Sequence, residues 1–146
     1  MQAVYRVVNQ TSICRKCNAV PSRHTGQVLR TAAFQVTMPA NKKKLPPLST
    51  LIQESFDEEF MRDCPSCKHP LPNRRSTLLT EATPAIVFML GRFSRHHLGG
   101  EPIRDGRKLP LGKDLQLRTF TNNLVRYTMV SAIEHIGDTI ERGHYR

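Results

Sequence analysis

The strongest constraint on this chain is the placement of its cysteines. There are four, and they form two pairs, Cys14-Arg-Lys-Cys17 and Cys64-Pro-Ser-Cys67. A two-residue spacer lets both thiolates of a turn face one ion while backbone N–H groups support the sulfurs. Two such turns predict one tetrahedral structural zinc held by Cys14, Cys17, Cys64 and Cys67. The alternatives are two disulfides or free thiols. The opening residues MQAVYRVVNQ lack the apolar stretch of a secretion signal, which disfavours disulfides. His24 and His69 lie close enough to replace a cysteine, but four thiolates already complete the shell, so both are expected in exposed loops. A site of this kind joins distant segments and contributes heavily to folding.

The 146 residues suffice for one domain of ordinary size. The longest apolar run, residues 85–90, is far short of the roughly 20 residues a membrane helix needs. Recurrent apolar runs exclude collagen-like and fully disordered chains. The expected setting is intracellular, in cytoplasm or nucleus, with no membrane partner. The net charge is +10, and it is uneven. Residues 1–50 carry eight Lys or Arg and no acid, whereas residues 51–146 carry fourteen and twelve. A basic half invites a nucleic-acid reading. It stays a lesser alternative here, because no aromatic residues interleave with the basic ones around either cysteine pair.

Along the chain, Val4, Val7 and Val8 suggest a short strand. Residues 28–38 suit another, with Phe34, Val36 and Met38 on one face. Residues 39–47, with Lys42, Lys43 and Lys44, read as a solvated loop. Residues 50–60 look helical. Thr50 and Gln53 resemble a capping box, and Leu48, Ile52, Phe56 and Phe60 recur every four residues. Asp57, Glu58 and Glu59 would then crowd the end of that helix, where its dipole disfavours acids. Residues 74–80 suggest a strand. The run AIVFML (85–90) predicts a strand buried on both faces. A long polar loop over 94–112 contains His96 and His97, and residues 115–120 alternate. Residues 126–136 alternate too, placing Tyr127, Met129, Ser131, Ile133 and His135 on one face. A turn over 137–143 precedes Gly143-His144-Tyr145-Arg146.

The order of these pieces resembles the ubiquitin-specific proteases, a branch of the papain-like cysteine proteases, from about residue 14 to residue 146. One Cys-x-x-Cys pair comes first, then a strand, a helix and the second pair. PAIVFMLGRF (84–93) is similar to that family's strand ending in Arg-Phe. YTMVSAIEHIGDTIERGHY (127–145) is similar to its box of Tyr, apolar strand, His-x-Gly, short loop and Gly-His-Tyr. The resemblance implies an α+β, mainly antiparallel β fold, with a palm sheet and Cys₄ zinc-ribbon fingers but without the thumb. Residues 1–146 would be part of the catalytic domain, with fingers over about 12–80 and palm over about 81–146. It implies a cysteine-type deubiquitinase whose partners are ubiquitin and ubiquitinated proteins. His144 would be the catalytic base, and Gly143 and Tyr145 would bind the substrate's tail. His135 is expected to be a packed strand histidine.

The departures are equally specific. The family's nucleophile sits in a Cys box that precedes a helix. Residues 9–14 imitate it, with an amide residue ahead of Cys14, but Arg15-Lys16-Cys17 follow, and Cys14 has a zinc partner at the right spacing. The third triad residue, an Asp or Asn, is also absent after His144. Gly91 stands where the family often has Lys, and the segment at 107–110 looks shortened. Glu134, Asp138 and Glu141 are the acids available to a cleft for a basic tail. The chain therefore reads as the C-terminal half of a protease domain, inactive alone. The alternative is a catalytically inactive ubiquitin-binding or scaffold module.

Overall fold

The computed structural model describes residues 2–19, 26, 28–94, 103–137 and 142–146. His24, His96, His97, Asp138 and Glu141 lie outside the described residues. Strand β1 (Ala3–Thr11) is followed by β2 (Val28–Thr31), β3 (Phe34–Thr37), the helix α1 (Leu48–Phe56), β4 (Asp57–Asp63) and β5 (Pro70–Leu79). Then come β6 (Phe88–Gly91), β7 (Phe93–Ser94), β8 (Ile103–Arg104), β9 (Asp114–Arg118), β10 (Leu124–Thr128), β11 (His135–Ile136) and β12 (His144–Tyr145). The main sheet is antiparallel in the order β2-β1-β5-β4, and β3 pairs with β6 in parallel. Three two-stranded antiparallel pairs, β7-β8, β9-β10 and β11-β12, complete the described residues. The fold is thus α+β and mainly antiparallel. Among the described residues, no helix is long and apolar enough to cross a membrane.

The core forms where α1 meets β3, β6, β9 and the inner ends of β1 and β5. Phe34, Val36 and Met38 point into it alternately, as their spacing predicts. The ring of Phe34 lies 5.0 Å from Tyr5, 4.8 Å from Phe56 and 6.0 Å from Phe88. Edge and tilted contacts of this kind add to the area that each ring buries. Leu51 and Ile52 of α1, with Leu79 and Leu117, close the cluster. The Arg107 guanidinium is fixed by the Asp105 carboxylate and donates to the carbonyls of Pro39 and Lys42. It thereby ties the lysine loop to the 105–107 turn. That carboxylate is held below its ordinary range, chiefly by the bonds from Arg107.

Four sequence expectations are corrected. The strand over 28–38 is two strands in different sheets, broken at Ala32 and Ala33. The helix starts earlier and stops earlier than 50–60. Pro47 is its N-cap without a side-chain bond, as suits a proline at a helix start, so Thr50 is not a cap. After Phe56 the backbone extends, because Asp57 and the residues that follow pair with β5. Asp57 takes the Arg74 side chain and the Ser76 hydroxyl, and Glu58 takes Arg75 at 3.4 Å. The apparent clash of acids with a helix dipole is therefore a cross-strand charge ladder. Phe60 lies on β4 beneath the Arg75 guanidinium, 5.3 Å from its ring centre.

The run at 85–90 is not buried on both faces. Only Phe88–Gly91 is a strand, and Val87 and Met89 are more than half exposed, at 59% and 57%. Residues 126–136 also fail to form one strand. β10 ends at Thr128, residues 129–134 leave the ladder, and Val130 is 94% exposed.

Replacing Phe34 with Ala removes the ring on which three others pack. It is expected to lower stability by about 3–5 kcal/mol, while Val87→Ser is expected to change it by less than about 0.5 kcal/mol. Urea unfolding of the two variants beside the parent checks both.

Candidate functional site

Beyond the core, β1, β5 and β4 run on as a three-stranded arm. Its register is continuous, with Gln10, Arg74 and Glu59 side by side and Thr11, Asn73 and Phe60 next. From Leu79 to Leu71 the strand length gives a reach of roughly 25 Å. Between the core and the arm's tip, Asn73 is the one described residue of this arm that is buried. It accepts from the Thr11 hydroxyl at 2.5 Å and donates to the Leu71 carbonyl at 2.9 Å. Both faces of the arm are otherwise wet, so apolar burial cannot hold its end.

The end is formed by the two cysteine turns, one leaving β1 and the other joining β4 to β5. They are built alike. The Cys14 N–H donates to the Ala19 carbonyl at 3.2 Å and the Asn18 N–H to the Cys14 carbonyl at 2.8 Å. In the second turn, Cys64 donates to His69 and Lys68 to Cys64, both at 2.9 Å. The residue four after the first cysteine is left-handed in each, Asn18 at φ 56° and Lys68 at φ 59°. Asn is a common choice there, which was a legible signal; Lys is not. His69 serves the turn with its carbonyl, and its side chain is exposed.

These turns bring all four sulfurs within 4.8 Å of one another. Cys14 and Cys67 lie 3.5 Å apart, and Cys17 and Cys64 lie 3.7 Å apart. Both are far beyond a disulfide bond of about 2.05 Å. Both are near the edge of about 3.8 Å that a tetrahedron with metal–sulfur bonds of about 2.3 Å would have. Cys14 and Cys64 are fully buried, with Leu71 packed against them. The Cys67 and Ser66 N–H groups hold the Cys64 thiol down to about 6 despite desolvation. For Cys17 the Ala19 N–H favours the thiolate. Desolvation and the neighbouring sulfurs outweigh it and push this thiol up to about 12. Four sulfurs this close cannot all ionise unless a cation joins them. The donor set is compatible with one structural zinc.

The histidine candidates lie elsewhere, on the β11-β12 pair. His144 stands opposite Ile136 and is exposed, and Tyr145 stands opposite His135. The His135 ring packs between Phe93, at 5.7 Å, and Tyr145, at 5.0 Å, as expected of a packed strand histidine. Among the described residues, its buried Nδ1 has no hydrogen-bond partner. The Arg104 guanidinium donates to the Gly137 carbonyl at 2.8 Å, which fastens this pair to β8. Glu134 is bound to Arg146 at 3.0 Å rather than to either imidazole. Among the described residues, the His144 ring makes no hydrogen bond. Sequence reasoning missed what Gly143 does locally. A Cβ there would overlap the His135 Nε2 and stand 2.5 Å from the Ile136 carbonyl oxygen. The glycine lets the two strands close over the imidazole.

Two outcomes follow from this geometry. Elemental analysis of reduced protein is expected to find about one zinc per chain, and Cys64→Ser is expected to lose it. Hydrogen exchange in that variant should quicken across β4 and the outer half of β5 while α1 stays protected. Gly143→Ala is expected to speed exchange of the Glu134 and Arg146 amides, which bond reciprocally across the pair. Unchanged rates would show that the ring can yield.

No protein-family profile matches the sequence, and neither does any curated protein. Solved structures do match. The fold is similar to a chain of the yeast SAGA DUBm carrying an Sgf73 mutant, with TM-score 0.69, 15% identity, and coverage of 99% of this chain and 32% of that one. It is similar to a chain of the SAGA DUB module Ubp8/Sgf11/Sus1/Sgf73 bound to monoubiquitin, with TM-score 0.65, 17% identity, and coverage of 99% and 31%. The same module bound to ubiquitin aldehyde gives TM-score 0.66, 16% identity, and coverage of 99% and 32%. This chain therefore spans about a third of the length of the chains it matches, and over that span it shares their fold.

Proposed function

We propose that this chain is the zinc-ribbon and palm portion of a cysteine-type deubiquitinase of the ubiquitin-specific protease kind. The observation that carries the reading is the fold likeness. It covers 99% of the chain, and the matched modules include ones bound to ubiquitin. In this reading the fingers run over about residues 12–80, with the cysteine turns at the end of the arm as their tip, and about residues 81–146 are the palm. Cys14, Cys17, Cys64 and Cys67 hold a structural zinc that crosslinks the arm's tip. The arm then offers ubiquitin a rigid extended surface.

His144 is the catalytic base in this reading. A thiol nucleophile needs an imidazole to take its proton. His144 stands on an open strand, so its ring is free to meet one. Gly143 and Tyr145 flank it and bind the substrate's tail. In this reading all four thiols of the chain, which meet in one cluster, belong to the metal, and the nucleophile lies outside these 146 residues. That same fact favours a second reading, a ubiquitin-binding module without its own hydrolysis.

The zinc-loaded chain is expected to bind ubiquitin saturably in a heteronuclear NMR titration and to release no fluorophore from a ubiquitin amide. Absence of any shift with folded, zinc-loaded protein would overturn the ubiquitin reading. Turnover by the chain would overturn the assignment of its thiols to metal. In a longer polypeptide that contains these residues and is active, His144→Ala is expected to lower kcat by about 10²–10⁴-fold. Undiminished turnover there would remove His144 from the mechanism and favour the second reading.

A further inference from the structure

The main sheet has two outer edges, and they differ. β2 is four residues long, whereas β4 offers seven in continuous register with β5, without proline or bulge. An open edge of that kind is a template for a further strand. Among the described residues, nothing pairs with the outer side of β4. The direction of its polar groups follows from its neighbours. Cys64 donates to the His69 carbonyl, so its N–H faces inward. Pro70 and Pro72, which have no N–H to give, stand opposite Asp63 and Met61. Alternation along the strand then turns the N–H and C=O of Glu59, Met61 and Asp63 to the outside. The Asp57 N–H is already bonded to the Gln53 carbonyl of α1.

We propose that this edge pairs with the same edge of a second copy of the chain, antiparallel about a two-fold axis at Phe60. Across such an axis outward residues face outward residues and inward face inward, which leaves few registers. Centred on Phe60, Glu58 of each copy faces Arg62 of the other, and Glu59 faces Met61. Centred on Glu59, both ion pairs are lost; centred on Met61, Glu59 meets Asp63. Glu58 and Arg62 then form non-hydrogen-bonded pairs, where cross-strand side chains lie closest. Within the chain Arg62 stands opposite Leu71 and is in no ion pair among the described residues. Glu58 has one exposed contact, with Arg75 at 3.4 Å, and in the dimer it lies between two cations. At the axis two half-buried Phe60 rings meet, each already beneath its own Arg75. Met61, 63% exposed, gains cover. The like-charge pairing, Asp57 with Asp63, falls at the ends, and Arg74 already holds Asp57. Glu59 and Met61 exchange backbone bonds in both directions, and each Asp63 N–H reaches an Asp57 carbonyl. The inference rests on the strands of the arm and is independent of the ubiquitin reading.

The test is sedimentation velocity of the zinc-loaded full chain from micromolar to sub-millimolar concentration, with hydrogen exchange at both extremes. We expect a reversible monomer–dimer equilibrium. The Glu59, Met61 and Asp63 amides should exchange more slowly at high concentration, while the inward amides of Phe60 and Arg62 stay protected throughout. Glu58→Arg alone and Arg62→Glu alone are each expected to weaken the dimer by about tenfold or more, because each sets like charges opposite one another. An equimolar mixture of these two variants restores opposite charges at both positions and is expected to dimerise within about threefold of the parent. Met61→Pro removes an outward N–H without touching the β5 ladder and is expected to weaken the dimer by about tenfold or more. Arg62→Glu breaks no ion pair within the described residues, so it and Met61→Pro keep the test decisive if Glu58→Arg unsettles Arg75. Zinc content is measured in every variant. A chain that stays monomeric would overturn the proposal and leave the edge to an extended segment of another protein. So would association that the variants share with the parent, a mixture that fails to recover, or outward amides indifferent to concentration. Ubiquitin is absent from these measurements, so either reading can fail while the other stands.

Discussion

The convergence of four thiols at one end of three strands is the constraint on which the arm depends. Ordering each residue costs about 1–2 kcal/mol in backbone entropy, and a strand wet on both faces recovers little of that by apolar burial. The surface ion pairs along the ladder contribute about 0–1 kcal/mol each. The arm's own apolar cluster amounts to Leu71 with parts of Ala19 and the cysteines. A metal crosslink contributes on a different scale, about 10–16 kcal/mol for structural zinc in small peptides. With zinc bound, the cluster would stand in for a second hydrophobic core. Its loss would reach inward only as far as the Phe34 and Leu79 packing, which has its own burial to rely on.

What was legible in the sequence divides along the range of the interactions. Both cysteine turns were legible, because ligand spacing is a local property and each turn closes within six residues of chain. Phe34, Val36 and Met38 were legible because one face of a short strand is set by alternation alone. The end of the helix was not. Leu48, Ile52, Phe56 and Phe60 keep a helical period, but Asp57, Glu58 and Glu59 each find β5 opposite them. A ladder with a strand that begins at residue 70 cannot be read from a window of eleven residues. The same limit hid Gly143, whose requirement comes from the His135 ring across the β11-β12 pair.

The apolar stretch at 85–90 shows a different kind of failure. Composition said burial on both faces, whereas the structure pairs β6 with β3 on one side and leaves Val87 and Met89 in solvent. Val130 and Ile133 are likewise exposed, at 94% and 80%. The sequence signal and the exposure agree if these residues belong to a surface that further protein covers.

The net charge of +10 is an average that conceals its own arrangement. Read as a sum, it argued weakly for nucleic acid and sat uneasily beside the proposed ubiquitin-binding reading of the arm. Placed on the strands, it separates into two regions with different chemistry. The acids at 57–59 face the arginines of β5 and largely cancel them, so the middle of the arm is close to neutral despite being densely charged. Among the described residues, Arg15, Lys16, Arg62 and Lys68 beside the cysteines are exposed and in no ion pair. Charge on the arm is thus sorted along its length, paired in the middle and, among the described residues, unpaired at its end, where Asp63 offsets part of it.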